Sequence, residues 1–114
     1  MKVEEYSFGR IKIGGKKYTT DVIVGKDLII PNWWRKEGHR IQTNDVKDIL
    51  SYKPEIVIFG IGANSRVVVD DEVRAKLESM GCEVIILPSD KAVAKYNEIL
   101  KSKKRVLLAI HLTC

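Results

Sequence analysis

The clearest indication of the fold class is the apolar run Val106-Leu107-Leu108-Ala109-Ile110-His111-Leu112. Two shorter runs of the same kind, residues 56–59 and 84–87, precede it along the chain. Strands that are apolar on both faces are typical of parallel sheets covered by helices. We therefore predict that these three segments form the centre of an α/β fold.

One helix is predicted between each pair of these strands. Asp70 is expected to cap the first helix and Gly81 to end it, and Ser89 is expected to cap the second. The side chains predicted to face the core are Val73, Leu77 and Met80, then Val93, Tyr96 and Leu100. Single helices between apolar strands favour parallel neighbours, so the C-terminal half is predicted to be a parallel βαβαβ core.

The N-terminal half has a different pattern, which predicts antiparallel strands. Gly14-Gly15 is a strong two-residue hairpin signal, with residues 18–24 as the returning strand and residues 28–30 as a short third strand. Thr43 or Asn44 is expected to cap a helix that follows. The full prediction is an α/β fold with a mixed sheet, in which an antiparallel N-terminal hairpin joins the parallel core.

Length and composition set the class of protein. The chain has 114 residues, a formal net charge of +5 and 31% charged residues, which predicts one domain over residues 1–114. No apolar run approaches the ~20 residues of a membrane span, and the first residues do not resemble a signal peptide. We therefore expect a cytoplasmic protein without membrane association. Lys and Glu are abundant and glutamine is rare, as in thermophile proteins.

The positive charge does not indicate a nucleic-acid partner. Lys101, Lys103, Lys104 and Arg105 stand at the end of a predicted helix, where cations complement the helix dipole. No aromatic residues interleave with them as a stacking platform requires. Nucleic-acid binding is therefore disfavoured, and the basic excess of residues 1–53 remains unassigned.

A glycine-rich loop follows the first buried strand of the core. The carboxyl ends of parallel strands meet at one edge of a sheet, where ligands tend to bind. The residues expected to converge there on a small polar crevice, for a small molecule or a phosphate, are Gly60, Gly62, Asn64, Ser65, Arg66, Ser89, Asp90 and His111. The alternative is that the glycines only form a tight turn, while Ser89 caps a helix and Asp90 complements its dipole; both alternatives stay open. The loop lacks the third glycine of a dinucleotide fingerprint and the lysine of a phosphate loop.

Neither metal binding nor cysteine catalysis is expected. Cys82 and Cys114 are expected to be free thiols, although one bridge between them is an open alternative. His111 and Cys114 are three residues apart, and side chains three apart on a strand point to opposite faces. Two histidines and two cysteines in no paired spacing do not indicate a zinc site. No cofactor is predicted.

Trp33-Trp34-Arg35 is the candidate contact surface for a protein partner. The ordinary expectation is one ring in the core and one at the surface, but an exposed ring beside cations can mark an interface. The short strand nearby offers an edge for pairing with another chain, including a second copy of this one.

An ordered series of motifs spans nearly the whole chain. The motifs are residues 8–11, 18–23, Trp34 followed by His39, residues 54–62, Glu72-Val73, Gly81, residues 92–97 and residues 109–114. In these motifs the chain resembles a small single-domain family of unknown function. That family includes the mitochondrial complex I assembly factor three and the adipogenesis-associated domain-containing protein of animals. This chain departs from the family pattern before the last helix, where Ser89 replaces the usual threonine.

The resemblance implies a three-layer α/β fold without an established activity or cofactor, and it implies no mitochondrial partner for this chain. Asn97, in one of the motifs, is expected to hydrogen-bond a neighbouring loop. The leading hypothesis is therefore a non-enzymatic interaction or assembly module. The alternative is a small-molecule or phosphate-binding protein, or an enzyme, that uses the predicted crevice.

Overall fold

The computed structural model describes residues 1–114, in which ten strands, one 3₁₀ helix and three α-helices follow one another. In chain order they are β1 (Val3–Ser7), β2 (Arg10–Ile13), β3 (Lys16–Tyr18), β4 (Val22–Gly25), β5 (Ile29–Ile30), β6 (Arg40–Ile41), a 3₁₀ helix (Thr43–Val46), α1 (Lys47–Tyr52), β7 (Ile56–Ile61), β8 (Val68–Val69), α2 (Asp71–Ser79), β9 (Glu83–Leu87), α3 (Ser89–Leu100) and β10 (Val106–His111).

The central sheet has five strands in the order β5-β4-β10-β7-β9. Strand β7 is parallel to both β10 and β9, and β10 is antiparallel to β4 on its other side. The mixed α/β fold with a parallel C-terminal core is therefore confirmed. The last strand of the chain is the one that joins the parallel and antiparallel parts.

Alternation along β10 divides the core into two halves. Val106, Leu108 and Ile110 belong to one buried cluster, and Leu107 and Ala109 belong to the other. All six residues of the strand are buried, as expected for a central strand with covered faces. This is why the sequence there is continuously apolar.

Helices cover both faces of the sheet and produce three layers. The cluster on one face includes Ile49 of α1 and Leu77 of α2. The cluster on the other face includes Tyr96 of α3 and Ile11 of the N-terminal sheet. Asn97 fastens these last two elements, since its amide oxygen accepts from Val3 N at 3.0 Å and its amide nitrogen donates to Val3 O at 2.8 Å. The expected hydrogen bond of Asn97 is present, but to a strand rather than a loop.

The N-terminal half confirms the antiparallel hairpin and corrects its extent. Strands β2 and β3 pair across the Gly14-Gly15 turn. The segment predicted as one returning strand, residues 18–24, is divided between β3 and β4, which belong to different sheets. The chain leaves the first sheet at Thr19 and enters the second after Asp21. Strand β1, which pairs with β2, was not predicted.

Two further details differ from the prediction. Met80 is 44% exposed, because α2 ends at Ser79 and the next residue lies outside its buried face. The residue that precedes the 3₁₀ helix is Gln42, not Thr43 or Asn44. The backbone N–H of Gln42 donates to the Asp45 carboxylate at 2.8 Å. That bond satisfies a backbone donor at the helix start.

Gly60 lies where α3 packs closely against the sheet. A Cβ there would lie 2.8 Å from Ile110 Cγ1 and 3.3 Å from Ala92 Cβ. We predict that Gly60→Ala lowers the free energy of unfolding by about 1–3 kcal/mol, as overpacked cores do. Gly38→Ala, at a site with nothing within 4 Å, is the matched control and should change it by less than about 0.5 kcal/mol. Denaturant unfolding measures both, and equal midpoints would contradict the packing.

Candidate functional site

The candidate site lies at the carboxyl ends of β7 and β10, the edge predicted from the sequence. Ser89 connects the two strands there: its hydroxyl accepts from Gly62 N at 2.9 Å and donates to His111 O at 2.6 Å. A Cβ on Gly60 would lie 3.2 Å from the same hydroxyl. The structure therefore brings four of the predicted residues into one contact.

Ser89 does not cap α3, which corrects the expectation for that residue. Pro88 precedes the helix, Ser89 is its first residue, and the Ser89 side chain is fully buried. The hydroxyl is directed at the sheet because both of its partners, the Gly62 amide and the His111 carbonyl, lie there. Asp90, one residue later, is exposed.

The glycine-rich loop packs against the last two residues of the chain. Ala63 N donates to Thr113 O at 2.7 Å, and the amides of Asn64 and Arg66 donate to Cys114 O at 3.1 and 3.3 Å. Gly62 has a φ of +102°, and a Cβ there would collide with the Cys114 backbone. The amides that a phosphate would use are thus bonded within the chain.

The side chains of this loop face outward. Asn64, Ser65 and Arg66 are all exposed, and none of their side chains takes part in a hydrogen bond or ion pair. They lie at the predicted edge but do not meet the buried contact between Ser89 and His111. The structure thus divides the predicted crevice into a buried part and a solvated part.

A buried ionic cluster occupies the other side of the same edge. The Asp21 carboxylate accepts from Arg35 Nη2 at 2.8 Å, and His111 Nδ1 lies 2.7 Å from the same Oδ2. The other carboxylate oxygen accepts from Leu112 N at 2.9 Å. Asp21 therefore joins the start of β4, the loop that carries Arg35 and the end of β10.

The Asp21 carboxylate indicates which ring nitrogen of His111 carries a hydrogen. Arg35 Nη2 carries two hydrogens, which point to Asp21 and to Gly38 O at 3.0 Å. His111 Nδ1 lies 2.9 Å from the same nitrogen and 2.7 Å from Asp21 Oδ2. A carboxylate oxygen only accepts, so the hydrogen bond to Asp21 requires a hydrogen on Nδ1. Nδ1 is consequently the protonated ring nitrogen and donates to Asp21. The lone pair of Nε2 faces the Thr113 hydroxyl at 3.1 Å.

Arg35 is held in the interior by further contacts. Its guanidinium lies 4.8 Å from the Trp33 ring centroid, and only 5% of its side chain is exposed. Arg35 Nη1 is buried without a hydrogen-bond partner. A buried cation requires a counter-charge, and Asp21 is the one that supplies it.

The titration of Asp21 reflects these contacts. Burial by itself would raise the pKa of the carboxyl, but hydrogen bonds from His111, Leu112 and Arg35 together hold that pKa below its ordinary value. Asp21 is therefore ionised in the folded protein at neutral pH, and its charge balances Arg35.

Two more side chains complete the surroundings of His111. The His39 and His111 rings meet edge to face with centroids 6.0 Å apart. The ligand atoms of His39, His111 and Cys114 all lie within 4.8 Å of one another. The expectation that His111 and Cys114 point apart is wrong, because β10 ends at His111 and strand alternation does not continue to residue 114.

The Trp33-Trp34-Arg35 segment divides between the interior and the surface. Trp33 and Arg35 are buried, whereas Trp34 is 76% exposed. Of the three residues predicted to contact a partner, only Trp34 presents its side chain to solvent. The other two hold the segment in place.

The cavity of the molecule lies on the N-terminal sheet. It is a groove of about 300 Å³ lined by Glu5, Tyr6, Ser7, Arg10, Ile11, Lys12 and Lys17. Tyr6 connects it with the candidate site, since its hydroxyl donates to Leu112 O at 3.2 Å. The sequence did not indicate this groove, because β1 was not predicted.

Asp21, Arg35 and His39 were not predicted to share a site with His111. Each is a single polar residue in a separate loop or strand end, without a spacing that links it to the others. The one signal was that Asp21 and His39 stand in stretches that carry the family resemblance.

With this geometry, the chain belongs to the family described as "Protein of unknown function (DUF498/DUF598)", whose model matches residues 3–111. A conserved hypothetical protein from Pyrococcus horikoshii OT3 is 26% identical, with a TM-score of 0.84 and 100% of both chains covered. A protein called MT938 is 26% identical, with a TM-score of 0.80 over 99% of this chain and 98% of that one.

A third solved structure, from Bordetella parapertussis, is 20% identical, with a TM-score of 0.81 over 96% of this chain and 92% of that one. At this identity the likeness shows the fold alone. The family description names no activity. No helix of the structure is long and apolar enough to cross a membrane.

We predict that Asp21→Asn lowers the free energy of unfolding at neutral pH by about 1.5–3 kcal/mol, because hydrogen bonds to a charged group are lost. The folded-state pKa of Asp21 is lowered from 3.8. The stability that ionised Asp21 contributes is therefore present above pH 3.8, and it is lost as the pH falls towards the lower pKa of the folded state. Denaturant unfolding across this pH range should show the difference between wild type and variant narrowing below pH 3.8. A pH-independent difference would contradict the ionised cluster.

Proposed function

We propose that this chain is a non-enzymatic interaction module that binds another protein through exposed apolar side chains around the candidate site. We call Phe8, Trp34 and Val68 the apolar rim; all three are exposed. Trp34, with 76% of its surface in solvent, is the observation that carries the proposal. Large exposed aromatic side chains are common anchors of protein interfaces.

Each rim residue is next to a backbone contact at the candidate site. Gly9 N, which follows Phe8, donates to Leu112 O at 2.8 Å. Val68 N donates to His39 O at 2.9 Å. Trp34 lies between Trp33 and Arg35, both buried. Each rim residue therefore flanks the edge where β7 and β10 end, which supports a contact surface at that edge.

Trp34 is held in position by its neighbours. Trp33 N donates to Asp21 O at 2.8 Å, and the Trp33 indole donates to Asp45 O at 2.9 Å. Lys36 N donates to the Asp45 carboxylate at 3.1 Å. Because the backbone is bonded on both sides of Trp34, little conformational entropy is lost on binding, and preorganised anchors gain affinity in this way.

Charge favours an acidic partner. The chain has a formal net charge of +5. Lys36 and Arg10 are exposed and each follows a rim residue by two positions, and Arg66 is exposed in the loop after β7, at the same edge. Complementary charge around an apolar centre speeds association and selects partners. The short edge strand β5 (Ile29–Ile30) pairs only with β4, which offers a second element for pairing with a partner or another copy.

Both cysteines are unpaired, which suits a reducing compartment such as the cytoplasm. The resemblance to assembly proteins also supports an interaction role.

We predict that Trp34→Ala leaves stability within about 0.5 kcal/mol, since the ring is exposed, and weakens partner binding by about 2 kcal/mol or more. Affinity capture from the native lysate, followed by titration of the captured protein, measures this. Met80→Ala, another exposed apolar residue, is the control and should bind normally. A partner retained equally by both variants would refute the proposed surface.

A second candidate function is binding of a small anion in the groove of the N-terminal sheet. Its lining contains Arg10, Lys12 and Lys17 with a single carboxylate, Glu5. This excess of cations in a concave site favours an anionic ligand. The alternative predicted from sequence, a phosphate at the glycine-rich loop, is less favoured because that loop's amides are bonded to residues 113 and 114.

Thermal shift with inorganic phosphate and nucleotides tests this second candidate. An anion that binds the folded state raises the unfolding temperature by mass action. Arg10→Ala should abolish the shift, and Arg66→Ala, outside the groove lining, should retain it. A flat screen, or equal loss in both variants, would refute the groove.

A further inference from the structure

We infer that His39, His111 and Cys114 form a binding site for Zn²⁺, with Asp21 as the residue that orients His111. The three ligand atoms lie within 4.8 Å of one another although the residues are far apart in sequence. Two imidazoles and one thiolate are a ligand set that suits zinc. The site goes beyond the proposed interaction surface and does not depend on it.

His111 already has the orientation that a metal ligand needs. Its Nδ1 donates to Asp21 Oδ2 at 2.7 Å, which leaves the lone pair of Nε2 for a ligand. A histidine ligand usually donates its other ring nitrogen to a carboxylate in this way, which fixes the ring and raises its basicity. The Asp21 carboxylate would therefore hold the His111 imidazole, and the imidazole would bind the metal.

The cysteine lies on the Nε2 side of that ring. The Thr113 hydroxyl is 3.1 Å from His111 Nε2 and 4.0 Å from Cys114 Sγ. An ion bound between His111 Nε2 and Cys114 Sγ would displace the Thr113 hydroxyl from Nε2. That hydroxyl can rotate towards solvent because Thr113 is only half-buried. No buried hydrogen bond other than this one has to break.

His39 closes the site by a small movement. Ligand atoms around a tetrahedral zinc ion are about 3.5 Å apart, compared with separations of up to 4.8 Å here. His39 is exposed and lies in a turn between β5 and β6, directly before β6, so its ring can approach without disturbing the core. The fourth position of the ion faces solvent and takes water.

The local charges permit a cation. Arg35 Nη2 is 2.9 Å from His111 Nδ1, on the side of the ring away from Nε2. Its charge is balanced by Asp21. The thiolate of Cys114 then supplies the one negative ligand. Cys82, the other cysteine, is buried, and burial raises the pKa of its thiol to about 11, so it does not compete for the metal.

Cobalt is the probe, because Co²⁺ reports thiolate ligation and tetrahedral geometry by its absorption. We expect the reduced, chelator-treated chain to bind one equivalent of Co²⁺ with a thiolate charge-transfer band and visible bands of a tetrahedral site. Zn²⁺ should displace the cobalt and remove both. Absence of these bands from the wild-type chain would overturn the proposal.

The variants assign the ligands. Cys114→Ser should remove the charge-transfer band, whereas the control Cys82→Ala should keep it. His39→Ala, at an exposed position, should lower zinc affinity, measured by competition with a chromophoric chelator, by at least 10–100-fold, roughly the range that loss of an outer-shell partner alone produces. Unchanged zinc affinity in His39→Ala, or a band that survives Cys114→Ser, would also overturn the site.

Discussion

The carboxylate of Asp21 is the interaction on which this edge of the molecule depends. It compensates the buried Arg35 guanidinium, accepts from the Leu112 amide and orients the His111 ring. Three separate segments meet at one side chain because a buried cation and a polar strand end both need a partner there. Removing that carboxylate would leave the Arg35 guanidinium without its counter-charge and the Leu112 amide without its acceptor.

The central architecture was predictable because it rests on local patterns. The apolar run of β10 indicated a covered central strand, and the Gly14-Gly15 pair indicated a hairpin. In both places the local sequence agrees with the tertiary fold. The failures come where a polar contact interrupts the pattern: residues 18–24 look like one strand, yet the chain changes sheets between Tyr18 and Val22, in the segment that contains Asp21.

The location of the candidate site could be predicted from the sequence, but several of its residues could not. Parallel strands placed Gly62, Ser89 and His111 at one edge, which needs only topology. Arg35 and His39 reach that edge through irregular chain between β5 and β6, whose path no periodicity encodes. Ser89 was assigned to a helix cap because serine favours that position, whereas here its hydroxyl joins two strands. Long-range polar contacts therefore determine what the local sequence cannot.

Asp21 holds the His111 ring with a hydrogen on Nδ1 and the lone pair of Nε2 free. Nitrogen-15 chemical shifts of the histidine rings, recorded by NMR on the metal-free chain at neutral pH, report the tautomer of each imidazole directly. We expect a hydrogen on Nδ1 of His111, directed at Asp21. A hydrogen on Nε2, with Nδ1 unprotonated, would contradict it.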